Sequence, residues 1–156
     1  MLVLPYPNNP TGAILERGEL EQLAEVLRDT NIAILSDEIY AELTYGKTHV
    51  SIASIDGMRE RTIIASGFSK AYAMTGWRLG YICAPAAWTK QMTKLHQYAI
   101  MCAPTVSQFA AIEALKNGDE DIAEMCAEYN RRRVFIAEGL ERIGLPVMIP
   151  EGAFYI

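Results

Sequence analysis

The chain has 156 residues, with 14 Lys and Arg against 19 Asp and Glu and a formal net charge of −5 at pH 7. Hydrophobic residues make up 51% of it and charged residues 21%, ordinary globular proportions that supply one real core. The acidic balance argues against a nucleic acid or an anionic membrane as principal partner, and no apolar run approaches the roughly 18 residues that span a bilayer.

Leu2 to Leu4 reads as the tail of a buried strand running into Pro5-Tyr6-Pro7-Asn8-Asn9-Pro10-Thr11-Gly12. Three prolines, two asparagines and a glycine in eight residues predict a rigid loop. Leu20, Leu23, Ala24 and Leu27 recur at helical spacing, so Glu16 to Asp29 is an amphipathic helix. Ile32 to Leu35 is a short buried strand ending in Ser36-Asp37-Glu38. Thr62 to Ala65 is a third buried strand, ending in Ser66-Gly67-Phe68-Ser69-Lys70. Gly80 to Cys83 is a fourth, closed by Pro85.

Helices follow over Ala86 to Tyr98 and Thr105 to Leu115, the second opened by capping-box spacing between Thr105 and Gln108. Asp119 to Ile143 is one long helix with an apolar stripe of Ile122, Met125, Tyr129, Ile136, Leu140 and Ile143. Three acidic residues suit its start, and Gly144 with Pro146 ends it. Pro146 to Ile149 and Ala153 to Ile156 read as two short strands of a second unit. Apolar strands alternating with helices define an α/β fold, a mostly parallel sheet with helices on both faces.

Cys83, Cys102 and Cys126 are odd in number and lack metal-ligand spacing, so they read as free buried thiols of a reducing cytoplasm. His49 and His96 stand apart without an evident partner, and no metal site is expected. Arg131-Arg132-Arg133 reads as a solvated face, and the Met and Tyr residues from Met92 to Met101 as core or dimer surface.

Ligands of open parallel sheets bind at the carboxyl ends of the strands. Three strand ends here carry polar residues ill suited to a core: Asn9, Asp37, and Ser69 with Lys70. Lys70 reads plainly as a surface lysine. Its setting of small and aromatic side chains, where charges are rare, suits instead an amine used for Schiff-base chemistry. Asp37 is either a cap after its strand or a buried carboxylate held for one cation. Glu38 faces elsewhere and reads as surface or supporting. Tyr40 is core or, three residues on along a helical turn, shares the face of Asp37. Arg78, between Trp77 and Leu79, is a salt-bridge residue or a partly buried anion clamp. Asn9 before Pro10 is turn chemistry or a site amide.

Pro7-Asn8-Asn9-Pro10-Thr11-Gly12, Ser36-Asp37-Glu38-Ile39-Tyr40 and Ser69-Lys70 with Gly76-Trp77-Arg78-Leu79-Gly80-Tyr81 resemble the three signatures of class I/II pyridoxal-phosphate aminotransferases of fold type I. The order agrees, and Arg78 stands eight residues after Lys70, as that pattern requires. The similar texture continues to Gly152-Ala153-Phe154-Tyr155. The resemblance implies pyridoxal 5'-phosphate as cofactor and transamination between an L-amino acid and a 2-oxo acid. It implies that Lys70 forms the Schiff base and moves the substrate's α-proton, and that Asp37 pairs with the pyridine nitrogen. Tyr40 and Asn9 would hydrogen-bond the ring's phenolic oxygen, and Arg78 and Ser69 would hold the phosphate. Several relatives carry a serine three residues before the lysine. Gly67 stands there in this chain, which leaves Ser69 as the phosphate contact rather than Ser66. A cis Asn9–Pro10 bond and a homodimeric parent are also implied.

The resemblance further suggests an internal fragment, with residues 1–118 part of a cofactor-binding large domain and 119–156 an interdomain helix and the start of a small one. Neither an upstream phosphate loop nor a downstream carboxylate-binding arginine is present, so the chain alone is expected to be inactive. A fold type I C–S lyase or synthase, a non-catalytic cofactor-sensing regulatory domain and a ligand-free fold fragment are the alternatives.

Overall fold

The computed structural model describes all 156 residues. Four strands, β1 (Leu2–Pro5), β2 (Ile34–Asp37), β3 (Thr62–Gly67) and β4 (Gly80–Cys83), form one sheet in the order β1-β2-β3-β4. The first three are parallel and β4 runs antiparallel to β3. Parallel neighbours need a crossover, and α1 (Arg17–Leu27) supplies the one between β1 and β2. Three helices follow β4: α2 (Ala86–Ala99), α3 (Thr105–Asn117) and α4 (Asp119–Arg142). No helix is long and apolar enough to cross a membrane.

The main core lies between α1 and the sheet. Leu20, Ala24 and Leu27 pack with Leu4 and Ile34 and with Ile52, Ile55 and Met58 from the segment before β3. The helical spacing of the α1 leucines puts them on one face, and each fully buried aliphatic side chain contributes about 1.5–3 kcal/mol. At the start of α1 the Glu16 backbone N–H donates to Glu19 Oε2 at 2.8 Å, half of a capping box. A second cluster of Phe68, Met74 and Ala111 joins the end of β3 to α3.

Four expectations are corrected. β4 is exposed along its whole length, because nothing in this chain pairs with its outer edge or covers it. The capping box of α3 does not form. The helix starts at Thr105 itself, so Pro104 takes the cap position, and Gln108 Nε2 donates to the Ala103 carbonyl at 2.8 Å instead. Residues 146–156 form no strands, only one bridge between Thr44 and Gly152. Their backbone bonds go to loops, with Glu151 and Gly152 donating to Gly12 and Ala153 to Leu43. Cys83 and Cys102 are exposed rather than buried, on the uncovered β4 and just past α2.

Candidate active site

Because β1, β2 and β3 are parallel, their carboxyl ends meet on one rim, with Pro5 paired to Asp37 and Asp37 to Ala65. The loop with Asn9, the turn with Tyr40 and the segment with Ser69 and Lys70 all leave the sheet there.

Turn chemistry in the first loop belongs to Asn8, not Asn9. The Asn8 side-chain amide donates to the Pro5 carbonyl at 3.2 Å, and its Oδ1 accepts from the Thr11 backbone at 3.3 Å and hydroxyl at 2.7 Å. Both Asn9–Pro10, as expected, and Tyr6–Pro7 are cis. Asn9 is exposed and takes part in none of these hydrogen bonds. Tyr40 is buried, and its hydroxyl shares a 2.6 Å hydrogen bond with that of Tyr155. Burial, Tyr155 and the charge of Asp37 push the Tyr40 phenol well above its ordinary value, while the Asn9 amide pulls it down. Tyr40 is therefore a protonated hydroxyl at neutral pH, able to donate.

Asp37 is half-buried, and its Oδ1 accepts one bond, from the Ile39 backbone N–H at 3.2 Å. Its remaining lone pairs are free for a cation. Lys70 Nζ lies 5.6 Å from the centre of the Tyr40 ring and 5.3 Å from that of Phe154. None of the chain's ion pairs involves Lys70, Asp37 or Arg78.

Ser69 and Arg78 form a second group, joined through Thr75. The Thr75 hydroxyl donates to the Ser69 carbonyl at 2.8 Å, and Arg78 Nη1 donates to the Thr75 carbonyl at 2.9 Å. Arg78 is exposed, not partly buried as expected. It closes a 3₁₀ turn (Thr75–Trp77) in the left-handed region at φ 52°, two residues before the fully exposed β4. Ser66 is engaged elsewhere, its hydroxyl donating to the Glu38 carbonyl at 3.3 Å.

Thr75, Phe154 and Tyr155 escaped the site reading of the sequence. The Gly152-to-Tyr155 motif was the available signal for the aromatic pair. Both rings meet Tyr40 edge-on, at centroid distances of 5.4 and 5.9 Å. Gly12 makes this approach possible. It sits at φ 67°, and a Cβ on it would fall 2.2 Å from Pro150 Cβ, so only glycine lets the segment ending in Phe154 and Tyr155 lie on this loop.

Two bland readings also change. His49 does have a partner: its Nε2 lies 3.0 Å from Glu38 Oε2, and Glu38 is buried rather than at the surface. In the arginine run, Arg131 and Arg132 are solvated and share Glu128, holding its carboxyl down to about 2. Arg133 instead donates to the Pro150 carbonyl at 2.7 Å and lies 4.8 Å from the centre of the Tyr45 ring.

Fold and rim together define an α/β domain whose polar site stands at its strand ends. The sequence profile of the family "Aminotransferase class I and II" matches residues 1–156, and the chain belongs to that family. A Bacillus subtilis protein named as an aminotransferase, YugH, is 53% identical over 154 residues, covering 99% of this chain and 40% of that protein. Aromatic-amino-acid aminotransferase 2 of Thermococcus litoralis is 45% identical over 158 residues, 99% of this chain and 41% of its own length. The structure of N-succinyldiaminopimelate aminotransferase from Mycobacterium tuberculosis superposes with a TM-score of 0.93 at 34% identity, over 97% of this chain and 40% of that one. This chain thus spans about 40% of the length of the relatives it matches.

Proposed function

We propose that the protein to which this chain belongs transfers amino groups between an L-amino acid and a 2-oxo acid, with pyridoxal phosphate held at the rim described above. The observation that carries this reading is Lys70, a primary amine over two aromatic rings with no carboxylate partner.

The donor set fits that cofactor. Asp37 offers spare carboxylate lone pairs to a protonated ring nitrogen. Tyr40 and Asn9 offer an O–H and an N–H to a phenolic oxygen. The Ser69 hydroxyl and the unpaired Arg78 guanidinium suit a phosphate dianion, for which a planar fork of donors is the best match. When bound, pyridoxal phosphate supplies an electron sink that weakens the bond between the substrate's α-carbon and its hydrogen. Lys70 Nζ takes that proton and holds it for return. Tyr40 and Phe154 set their rings beside the amine.

The names of the relatives, which include aspartate, aromatic and N-succinyldiaminopimelate aminotransferases, support α-amino acids as the substrate class. A homodimeric parent is supported by exposed apolar side chains such as Tyr98 and Phe109 on α2 and α3. The exposed free thiols Cys83 and Cys102 suit the reducing cytoplasm. The division into a cofactor-binding part, residues 1–118, and an interdomain helix with the start of a small domain, 119–156, is supported by the 24-residue length of α4.

Treating the chain with pyridoxal phosphate and then borohydride fixes any imine covalently. Peptide mass spectrometry is expected to find the adduct on Lys70, and Lys70→Ala to lose it. An adduct spread over Lys47, Lys90, Lys94 and Lys116 with no preference for Lys70 overturns the reading. Little or no keto acid is expected from this chain alone with amino acids and 2-oxoglutarate.

A further inference from the structure

We propose that the cluster of buried Ser36 and Glu38 with half-buried His49 and Ser51 is a positioning device for Asp37, pinning the residues on either side of it to one face of the sheet so that Asp37 is held toward the other. The functional meaning rests on the reading of Asp37 as a cofactor ligand.

Successive side chains of a strand leave opposite faces. Ser36 is 5% exposed and Glu38 6%, while Asp37 between them is only half-buried. The Glu38 carboxylate accepts from Ser36 Oγ at 2.9 Å, from Ser51 Oγ at 2.6 Å and from His49 Nε2 at 3.0 Å. Its backbone is equally engaged. The N–H donates to the Ala65 carbonyl at 2.9 Å, and the carbonyl accepts from Ala41 N–H and Ser66 Oγ. Ser51 is itself anchored, since it caps a 3₁₀ turn (Ile52–Ser54) whose Ile52 is in the main core.

Asp37, by contrast, is held through its own side chain by a single local bond to Ile39. That bond does not choose a face. A slip of one residue at the end of β2 would send Asp37 to the face now held by Ser36 and Glu38. The same slip would strip the buried Glu38 carboxylate of three donors, and a buried charge without partners is far costlier than a lost surface contact. The cluster thus adds a buried polar lock to a strand end that is already paired on both sides. The direction of Asp37 is set by neighbours that do not themselves touch the rim.

Backbone hydrogen exchange on the cofactor-free chain tests this. In Ser51→Ala, the Glu38 and Ile39 amides are expected to exchange roughly tenfold faster, the loss of one bond to a charged acceptor. The Leu20 and Ala24 amides of α1 are expected to keep their rates. Ser51→Thr, which keeps the hydroxyl, should restore protection. Unchanged rates at Glu38 and Ile39, or equal acceleration in α1, overturns the proposal, because a purely structural role loosens the whole core together. Should Ser51→Ala not fold, Ser36→Ala is read by the same amides and the same criterion. Borohydride labelling of Lys70 in the unmutated chain separately decides the cofactor reading, so failure of one is not mistaken for failure of the other.

Discussion

Asp37 and Glu38 are adjacent carboxylates in opposite circumstances, and the difference assigns their work. Glu38 is buried with three side-chain donors, which use most of its acceptor capacity. Asp37 accepts one backbone bond and keeps the rest. Burial pushes the Glu38 carboxyl up, but the bonds from His49, Ser51 and Ser36 outweigh it and leave the folded value below the ordinary 4.5. A carboxyl lowered by folding stabilises above its unfolded value, and that stability is lost as pH falls through the folded one. Urea stability is therefore expected to drop on acidification below pH 4.5, and Glu38→Gln to flatten that part of the profile. Glu42, raised above 4.5 by desolvation and by the Glu38 charge although its side chain reaches solvent, acts with the opposite sign, its contribution being lost as pH rises through its folded value. Because the Glu38 charge contributes to that shift, making Glu38→Gln in a Glu42→Gln background removes Glu42 from the comparison and isolates Glu38. Identical acid limbs would show that Glu38 is not held down. Arg78 gives a second check at this scale. Arg78→Lys loses the planar fork, so affinity for pyridoxal phosphate is expected to fall about tenfold while affinity for unphosphorylated pyridoxal holds. An equal loss for both ligands would remove Arg78 from the phosphate.

Among the elements, β2 is the one on which both the core and the rim depend. Ile34 is fully buried against α1 at one end of the strand, and Asp37 stands at the other. Ile34→Ala is expected to cost about 2–5 kcal/mol in urea unfolding. Val26→Ala, on the exposed side of α1, is expected to stay within about 0.5 kcal/mol. If the two cost the same, the packing of α1 on β2 is not what holds the sheet. These elements were legible because their signals are local. The leucine spacing in α1, the apolar runs of β1 to β4 and the acidic start of α4 each act within a few residues. The exposure of β4 was not legible, because Tyr81-Ile82-Cys83 reads the same whether or not another element covers it. The absence of strands after Pro146 has a like cause, since pairing needs a partner that a sequence run does not name. At the rim, strand-end residues could be read from their odd polarity. The Tyr40–Tyr155 and Glu38–His49 contacts could not, because they join residues 115 and 11 positions apart through the fold.

For the molecule as a whole, the unpartnered surface is the controlling feature. The outer edges of β1 and β4 are unpaired, and no residue of α2 is buried. Tyr98 is 94% exposed, and Leu95, Met101, Val106 and Phe109 are also exposed along α2, α3 and the turn between them. Apolar surface of this kind is stable in water only when covered, and free strand edges recruit further strands. The chain matches about 40% of the length of its relatives. A net charge of −5 opposes contact only weakly at physiological salt, where the Debye length is about 8 Å. The purified chain is therefore expected to self-associate, with the weight-average mass in sedimentation velocity rising with concentration. Replacing Tyr98 and Phe109 together by Ser should shift the distribution back toward monomer without changing the far-UV spectrum. A single monomeric species for the unmutated chain across a hundredfold range of concentration would mean that α2 and α3 fold back to cover this surface in solution.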